Sequence, residues 1–436
     1  MKTNRLSGQV YIYKNQPDLS WMEIHPGEKV VLKPNLVKES VYGDMNSWQH
    51  VITSEYIIRL VSEYVAKKLE GKGEIYLCDA PQTDSSFKII SERLNFAQIK
   101  RDIENKYSVQ FNIIDLRDYE WKVEEEVVVE RHRLDGDPNG KIAFNLDKYS
   151  LFYKHAGEGS YYGADYEQNI VNSHHQKETH EYLICGTPIK ADVFINLPKL
   201  KTHKKTGVTL NLKNLVGINA DKNWLPHHID GSPKTGGDQF PDQLLKNTIE
   251  DILVKIVRKI ALKIPFVGPF LAKIFRKTGK KIFGDGDKTI RSGNWYGNDT
   301  TWRMALDLNR CLLYGNMDAT FNNIPKRYYS VVDGILGMEG NGPMDGSEKK
   351  CNVIIGGYDP VAVDTVCATL MGFDWEKIPI IKNAFFMHKY PITDIEPDEI
   401  IIISDEKEWS GDLKNLQNSK NYAFEPHFGW KGHIEL

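Results

Sequence analysis

Apolar positions along the chain follow two periods. Short β-branched runs, VVLKPNLV (30–37), EIYLCDA (74–80), VQFNIIDL (109–116) and ADVFINL (191–197), read as strands. Between them, TSEYIIRLVSEYVAKKLEG (53–71) spaces its apolar residues as a helix does, with a Thr-Ser start and a Gly stop, and the periodic stretch from Phe87 to Tyr107 repeats the pattern. Strands alternating with helices predict an α/β fold: an open, largely parallel sheet with helices on both faces.

The pattern breaks between about 120 and 155, where EEEVVVERHRL, DGDPNG and KIAFNL read as a β-hairpin excursion on the sheet edge. It returns in SVVDGIL (330–336), NVIIGG (352–357) and EIIIIS (399–404). Between the last two lies DPVAVDTVCATLMG, a helix with Asp359 as N-cap, Pro360 at its first position and Gly372 as stop. Residues 1–218 and 301–436 are thus expected to form the α/β core, with a first lobe ending near 120, and residues 219–300 an insertion.

Composition narrows the class. The 436 residues are 41% hydrophobic and 26% charged, as in globular proteins, and the net charge of −3 predicts no nucleic-acid partner. The five cysteines are too scattered for an iron-sulfur cassette or a disulfide framework, and fit a reducing compartment. The first residues lack an apolar leader, which predicts a cytoplasmic protein.

Ligands of open α/β sheets bind beyond the carboxyl ends of the strands. Polar residues gather where such ends are expected: Lys33 and Asn35 after VVL, Asp79 after IYLC, Lys199, Lys201 and His203 after VFINL, and Asp333 after SVV. Lys213 and Asn214 follow, just before Gly217. Lysines suit carboxylate or phosphate, and a desolvated lysine becomes a base or nucleophile. Lys33, Lys199 and Lys201 are therefore expected to hold an anion, His203 to move a proton or bind a metal, and Lys213 to be the reactive amine. Asn35, Asn214 and the catalytic candidates Asp333 and Glu339 would orient them, and Asp79 would help to bind the substrate. For any one of these residues, a solvated loop or a capped turn is the plain alternative.

Three further segments carry candidate chemistry. DGILGMEGNGPMDG (333–346) has five glycines, which let backbone N–H groups approach a ligand. Residues 221–243 hold His227 and His228, candidate metal ligands with His203, in what reads equally as a mobile covering loop. RSGNWYGNDTTWRMALDLNR (291–310) interleaves aromatic rings with amides and charges, a pattern suited to sugar rings, and nominates Trp295 and Arg303 as substrate-binding residues.

The segments LKPNLV, INLPKLKTHKKTGVTLNLKNLVGI, DGILGMEGNGP and GGYDPVAVDTVCATLMG occur in order, and together resemble the domain of unknown function 362 family. Many relatives carry a ferredoxin-like iron-sulfur segment; this chain lacks the cysteines for one. Relatives with the GNWYGNDTTWR segment look like those found among genes for envelope polysaccharide, which implies a saccharide-linked role. The chain is also distantly similar to nickel-pincer lactate racemase, on the spacing of His203, Gly207 and Lys213. That similarity implies a two-domain α/β architecture, a nickel-pincer-like cofactor or another divalent metal, and an epimerase or racemase activity.

These readings converge on an enzyme for an anionic, hydroxylated small molecule or saccharide-linked substrate. A noncatalytic carrier that holds a phosphate- or carboxylate-bearing ligand with the same lysines is the competing expectation. Residues 252–283 contain nine Lys or Arg and no acidic residue, arranged as two basic segments around the apolar tip PFVGPF. They predict peripheral attachment to an anionic membrane surface at its cytoplasmic face.

Overall fold

A computed structural model describes residues 8–41, 43–124, 127–163, 168–242 and 290–436. The expected basic hairpin at 252–283 lies outside the described residues. Eleven strands form one sheet: β1 (Gln9–Tyr13), β2 (Lys29–Pro34), β3 (Glu74–Asp79), β4 (Gln110–Asp115), β5 (Val193–Leu197), β6 (Lys199–His203), β7 (Gly207–Val208), β8 (Arg327–Glu339), β9 (Ser347–Gly357), β10 (Ile401–Ser404) and β11 (Gly411–Asp412). The main path runs β11-β10-β1-β9-β8-β5-β2-β3-β4, and β6 extends alongside the far end of β8. Strands β8, β5, β2, β3 and β4 are mutually parallel, while β9 runs antiparallel to both its neighbours. The largely parallel sheet read from the alternation is therefore present, and it draws strands from both halves of the chain.

Pleating sends successive residues to opposite faces, and both faces are buried. Val30 and Leu32 of β2 pack in one core with Ile57 and Val61 of the helix Glu55–Leu69 and Ile99 and Ile103 of the helix Phe96–Tyr107. Val31 packs in the other, with Met304 and Leu308 of the helix Thr301–Tyr314 and Val363 and Val366 of the helix Pro360–Met371. Each such side chain contributes about 1.5–3 kcal/mol on burial. The capping read from the sequence is observed: Asp359 accepts from the N–H groups of Val361 and Ala362, and Gly372 closes the helix at φ +90°.

Two local expectations are corrected. Lys141–Asn145 does not fold back on the preceding hairpin, Tyr119–Glu124 with Val127–Arg133, but pairs with Thr179–Cys185 in a separate small sheet. The glycine-rich run after Asp333 is mostly strand: β8 continues to Glu339 and turns into β9. A Cβ on Gly334 would meet Val353 Cγ2 at 2.7 Å, and one on Gly337 would meet the Leu200 carbonyl oxygen at 2.8 Å. These two glycines admit neighbouring strands rather than a ligand. In the expected insertion, Pro226–Ile229 pairs with Tyr161–Gly163. No helix among the described residues is long and apolar enough to cross a membrane.

Candidate functional site

The parallel strands β2, β3 and β5 end side by side, next to the middle of β8, and the polar residues there lock together. Lys33 Nζ lies 2.7 Å from Asp79 Oδ1 and donates to the Pro34 carbonyl and to Asn214 Oδ1. Asp79 also accepts from the N–H groups of Leu36 and Ala80. One strand over, Lys199 Nζ lies 2.9 Å from Asp333 Oδ2, which accepts from Ser54 N–H as well. Thr53 joins the two pairs: its hydroxyl accepts from Asn35 N–H and donates to the Leu197 carbonyl.

Gly217 makes this convergence possible. A Cβ there would fall 1.9 Å from Asp79 Oδ1 and 2.6 Å from Lys33 Nζ, so only glycine lets the 215–218 turn pass over the ion pair. Both pairs are sealed from water and internally satisfied. Contrary to the expectation from the sequence, Lys33 and Lys199 do not offer open ammonium groups to an anion; they fix the carboxylates that order the strand ends.

Amides carry the order onward. Asn214 Oδ1 accepts from Asn35 Nδ2 and Lys33 Nζ, and its Nδ2 donates to Asn196 Oδ1 at 2.7 Å. Asp364 fastens the other end of the short helix Leu210–Asn214, accepting from Asn211 N–H, Leu212 N–H and Asn211 Nδ2. Burial pushes the Asp364 carboxyl up to about 7 against these hydrogen bonds. The helix that bears Lys213 is thus pinned at both ends.

The remaining lysines differ sharply in their partners. Lys201, fully buried, donates to the carbonyls of Val51 and Pro343, and burial, then Lys199, holds its pKa far below the ordinary lysine value. Two N–H bonds to two carbonyls suit a neutral amine. Lys205 Nζ faces three acceptors, the carbonyls of His227 and Ser292 and His228 Nδ1, at 3.3, 2.5 and 3.4 Å. Burial lowers Lys205 to about 7, with Lys204 and Lys213 adding to the effect. Lys213 is buried too, and burial, followed by Lys222 and Lys33, brings it to about 7. Among the described residues, however, Lys213 Nζ has no hydrogen-bond or ion-pair partner.

Two imidazoles face this amine closely enough for its charge to depress them. His203 Nδ1 accepts from Lys205 N–H, so the neutral ring carries its proton on Nε2. His227 Nδ1 donates to the Leu225 carbonyl, which leaves Nε2 as a bare acceptor. Burial is the main reason that both stay neutral. The site thus presents a free amine, an N–H donor and an imidazole lone pair.

Of the sequence-nominated residues, Lys33, Asn35, Asp79, Asn196-linked Asn214, Lys199 and Asp333 are brought into one hydrogen-bonded array, with Lys201, His203 and Lys213 against it. Glu339 is not: its carboxylate takes Lys349 at 2.8 Å and the Glu425 N–H at 2.9 Å, beyond the point where β8 leaves the cluster. Trp295 is buried and donates to the Asp238 carbonyl, so it is no open ring platform. Arg303 lies elsewhere, forked onto Asp299. The expected metal set of His203, His227 and His228 does not assemble: among the described residues no three His, Cys, Asp or Glu side chains group as a metal would need. Each of the three Nδ1 atoms is already engaged, and the His228 ring lies flat on Tyr162.

Sequence reading passed over three residues. Lys205 lies inside the lysine run 199–205, where nothing in the sequence sets it apart from its neighbours. His50 donates through Nε2 to the Gly346 carbonyl, and His427 Nδ1 accepts from Gly429 N–H. Both rings are depressed by burial, with further effects from the cluster's lysines, Lys199 and Lys201 on His50 and Lys204 on His427. Neither sits in a motif, and only the folded chain brings them near.

The fold and site define an α/β protein with a lysine-rich centre at its parallel strand ends. The family model for the domain of unknown function (DUF362) matches residues 154–369, and the chain belongs to that family through this domain. The match contains the 194–218 and 333–346 segments; the LKPNLV motif precedes it. No curated protein and no solved structure matches the chain. The similarity to nickel-pincer lactate racemase read from the spacing of His203, Gly207 and Lys213 is not shown by these comparisons.

Proposed function

We propose that the protein is a proton-transfer isomerase, an epimerase or racemase, for a small hydroxylated carboxylate. The observation that carries this reading is the contrast between two buried amines: Lys213 without a partner, and Lys205 surrounded by three acceptors. An unpartnered amine keeps a lone pair for a proton. An amine facing three acceptors is held as the ammonium, which can give one. Groups that titrate near neutral pH make the most effective acid and base there.

In this scheme Lys213 Nζ takes the proton from the carbon next to the carboxylate, and the C–H electron pair moves into that carboxylate as an enediolate. His203 Nε2–H donates to the developing oxygen charge, as a donor aimed at a growing oxyanion should. Lys205 returns a proton to the carbon, and exchange with solvent restores both amines. Lys33 and Lys199 act indirectly, by holding the strand ends through Asp79 and Asp333.

The test is deuterium exchange in D2O over a panel of 2-hydroxy acids and sugar acids, followed by proton NMR. Exchange at the carbon beside the carboxylate is expected, with a loss on the order of a hundredfold or more in Lys213→Met. Saturable binding of the acids without exchange would replace the enzyme with a carrier.

A further inference from the structure

A second place in the molecule has the makings of a ligand site and shares no side chain with the proton-transfer scheme. A cleft of about 680 Å³ opens beside the start of the helix Thr301–Tyr314, walled by the 147–149 turn and the 379–389 segment. That volume falls within the range of small-molecule sites. Five large aromatic side chains stand exposed among the described residues, and three of them, Tyr149, Tyr296 and Phe386, line this cleft. Phe386 is 65% exposed, a large apolar ring left in water.

Polar groups of both signs line the cleft. Asp299 and Arg303 form a forked pair, and the Asp299 side chain is 48% exposed, so its oxygens and the guanidinium face outward together. His155 Nε2 at 3.0 Å and Trp302 Nε1 at 3.1 Å hold the carboxylate in place. Lys148 and Lys389 also line the cleft and stand over the Tyr149 ring at 5.4 and 5.8 Å, and neither has a carboxylate partner among the described residues.

We propose that this cleft binds an anionic saccharide, a pyranose-sized ring that carries a carboxylate or phosphate. Sugar hydroxyls donate and accept at once, and a carboxylate beside a guanidinium supplies both halves of that exchange. The C–H faces of a pyranose need one aromatic surface rather than two. Tyr296 offers one, because His433 covers its other face at 3.5 Å. A nucleobase would favour a sandwich of two faces, which this ring cannot supply. The anion belongs on Lys148 and Lys389, which no carboxylate neutralises among the described residues, whereas Asp299 already takes the Arg303 charge. Asn298 lines the cleft and donates to the His227 carbonyl at 3.0 Å, so the cleft backs onto the strand that carries His227.

The test is titration calorimetry of the full chain with glucuronate, glucose 6-phosphate, glucose, inorganic phosphate and AMP. Both anionic sugars are expected to bind at least about tenfold more tightly than glucose, a difference of about 1.4 kcal/mol. Replacing both exposed lysines, Lys148→Met with Lys389→Met, should reduce them to the affinity of glucose. Three results would overturn the proposal: no binding of either anionic sugar at millimolar concentration, phosphate or AMP binding as well as glucose 6-phosphate, or a preference that survives the double replacement. The last would move the anion out of the cleft, and loss of deuterium exchange alone would leave the cleft standing.

Discussion

Lys199 Nζ and Asp333 Oδ2 meet at 2.9 Å with both side chains closed to solvent, where β6 begins alongside the middle of β8. Breaking a buried pair from one side leaves a charge without compensation, at a cost of about 3–5 kcal/mol. Lys199→Met leaves Asp333 still accepting from Ser54 and Ile335 N–H, whereas Asp333→Ala strands those donors as well as the ammonium. Both replacements should lower the urea midpoint, and Asp333→Ala should lower it further. The reverse order would remove Asp333 from its place as the organising acceptor.

Gly217→Ala tests the close approach beneath the second pair. The added methyl has no room between Asp79 and Lys33. Overpacking of this kind costs about 1–3 kcal/mol, and the displaced turn carries Lys213 with it. Equilibrium unfolding should show the loss. A variant as stable as the wild type would mean that the turn relaxes freely and that the site is not rigid.

The strands and the cap of the Pro360–Met371 helix were legible because they depend on local chemistry: β-branched runs and an Asp-Pro start. The agreement of Lys33, Asp79, Lys199 and Asp333 was also legible, since each is expected at a strand end and neighbouring parallel strands bring such positions together, although β8 runs on past Asp333. What the sequence could not say was which lysines would be neutralised. Lys33 and Lys213 look alike as residues, and only tertiary contact pairs the first with Asp79 while leaving the second alone. The glycines after Asp333 misled for a related reason. Their use is set by the neighbours Val353 and Leu200, which lie far away in sequence.

Asp364→Ala removes the acceptor of three N–H groups at the start of the helix that bears Lys213. Unsatisfied buried donors cost about 1–3 kcal/mol, here partly offset because burial already disfavours the Asp364 charge. The expected outcome is a modest loss of stability with a larger loss of deuterium exchange, because the helix no longer fixes the amine. Exchange that stays intact in a folded variant would show that Lys213 is held from its other side alone.

Stability against pH should carry the mark of Lys213. Its folded value is about 7, below the ordinary 10.5, so between those values the unfolded chain binds the extra proton and stability rises with pH. Below about 7 both states are protonated and the burial penalty is felt in full. The difference between wild type and Lys213→Met, by denaturant unfolding from pH 6 to 10, should therefore climb by up to about 1.4 kcal/mol per pH unit through this window. A flat difference would mean that the amine titrates as it does in water.

The most direct measurement is the rate at which a small acylating reagent modifies Lys213, followed by mass spectrometry of the intact fold from pH 5 to 11. Only the neutral amine reacts. The account predicts a labelling midpoint near pH 7, well below the ordinary lysine value, and slower labelling when a competing hydroxy acid is bound. A Lys213 midpoint in the ordinary lysine range, close to 10, would contradict it.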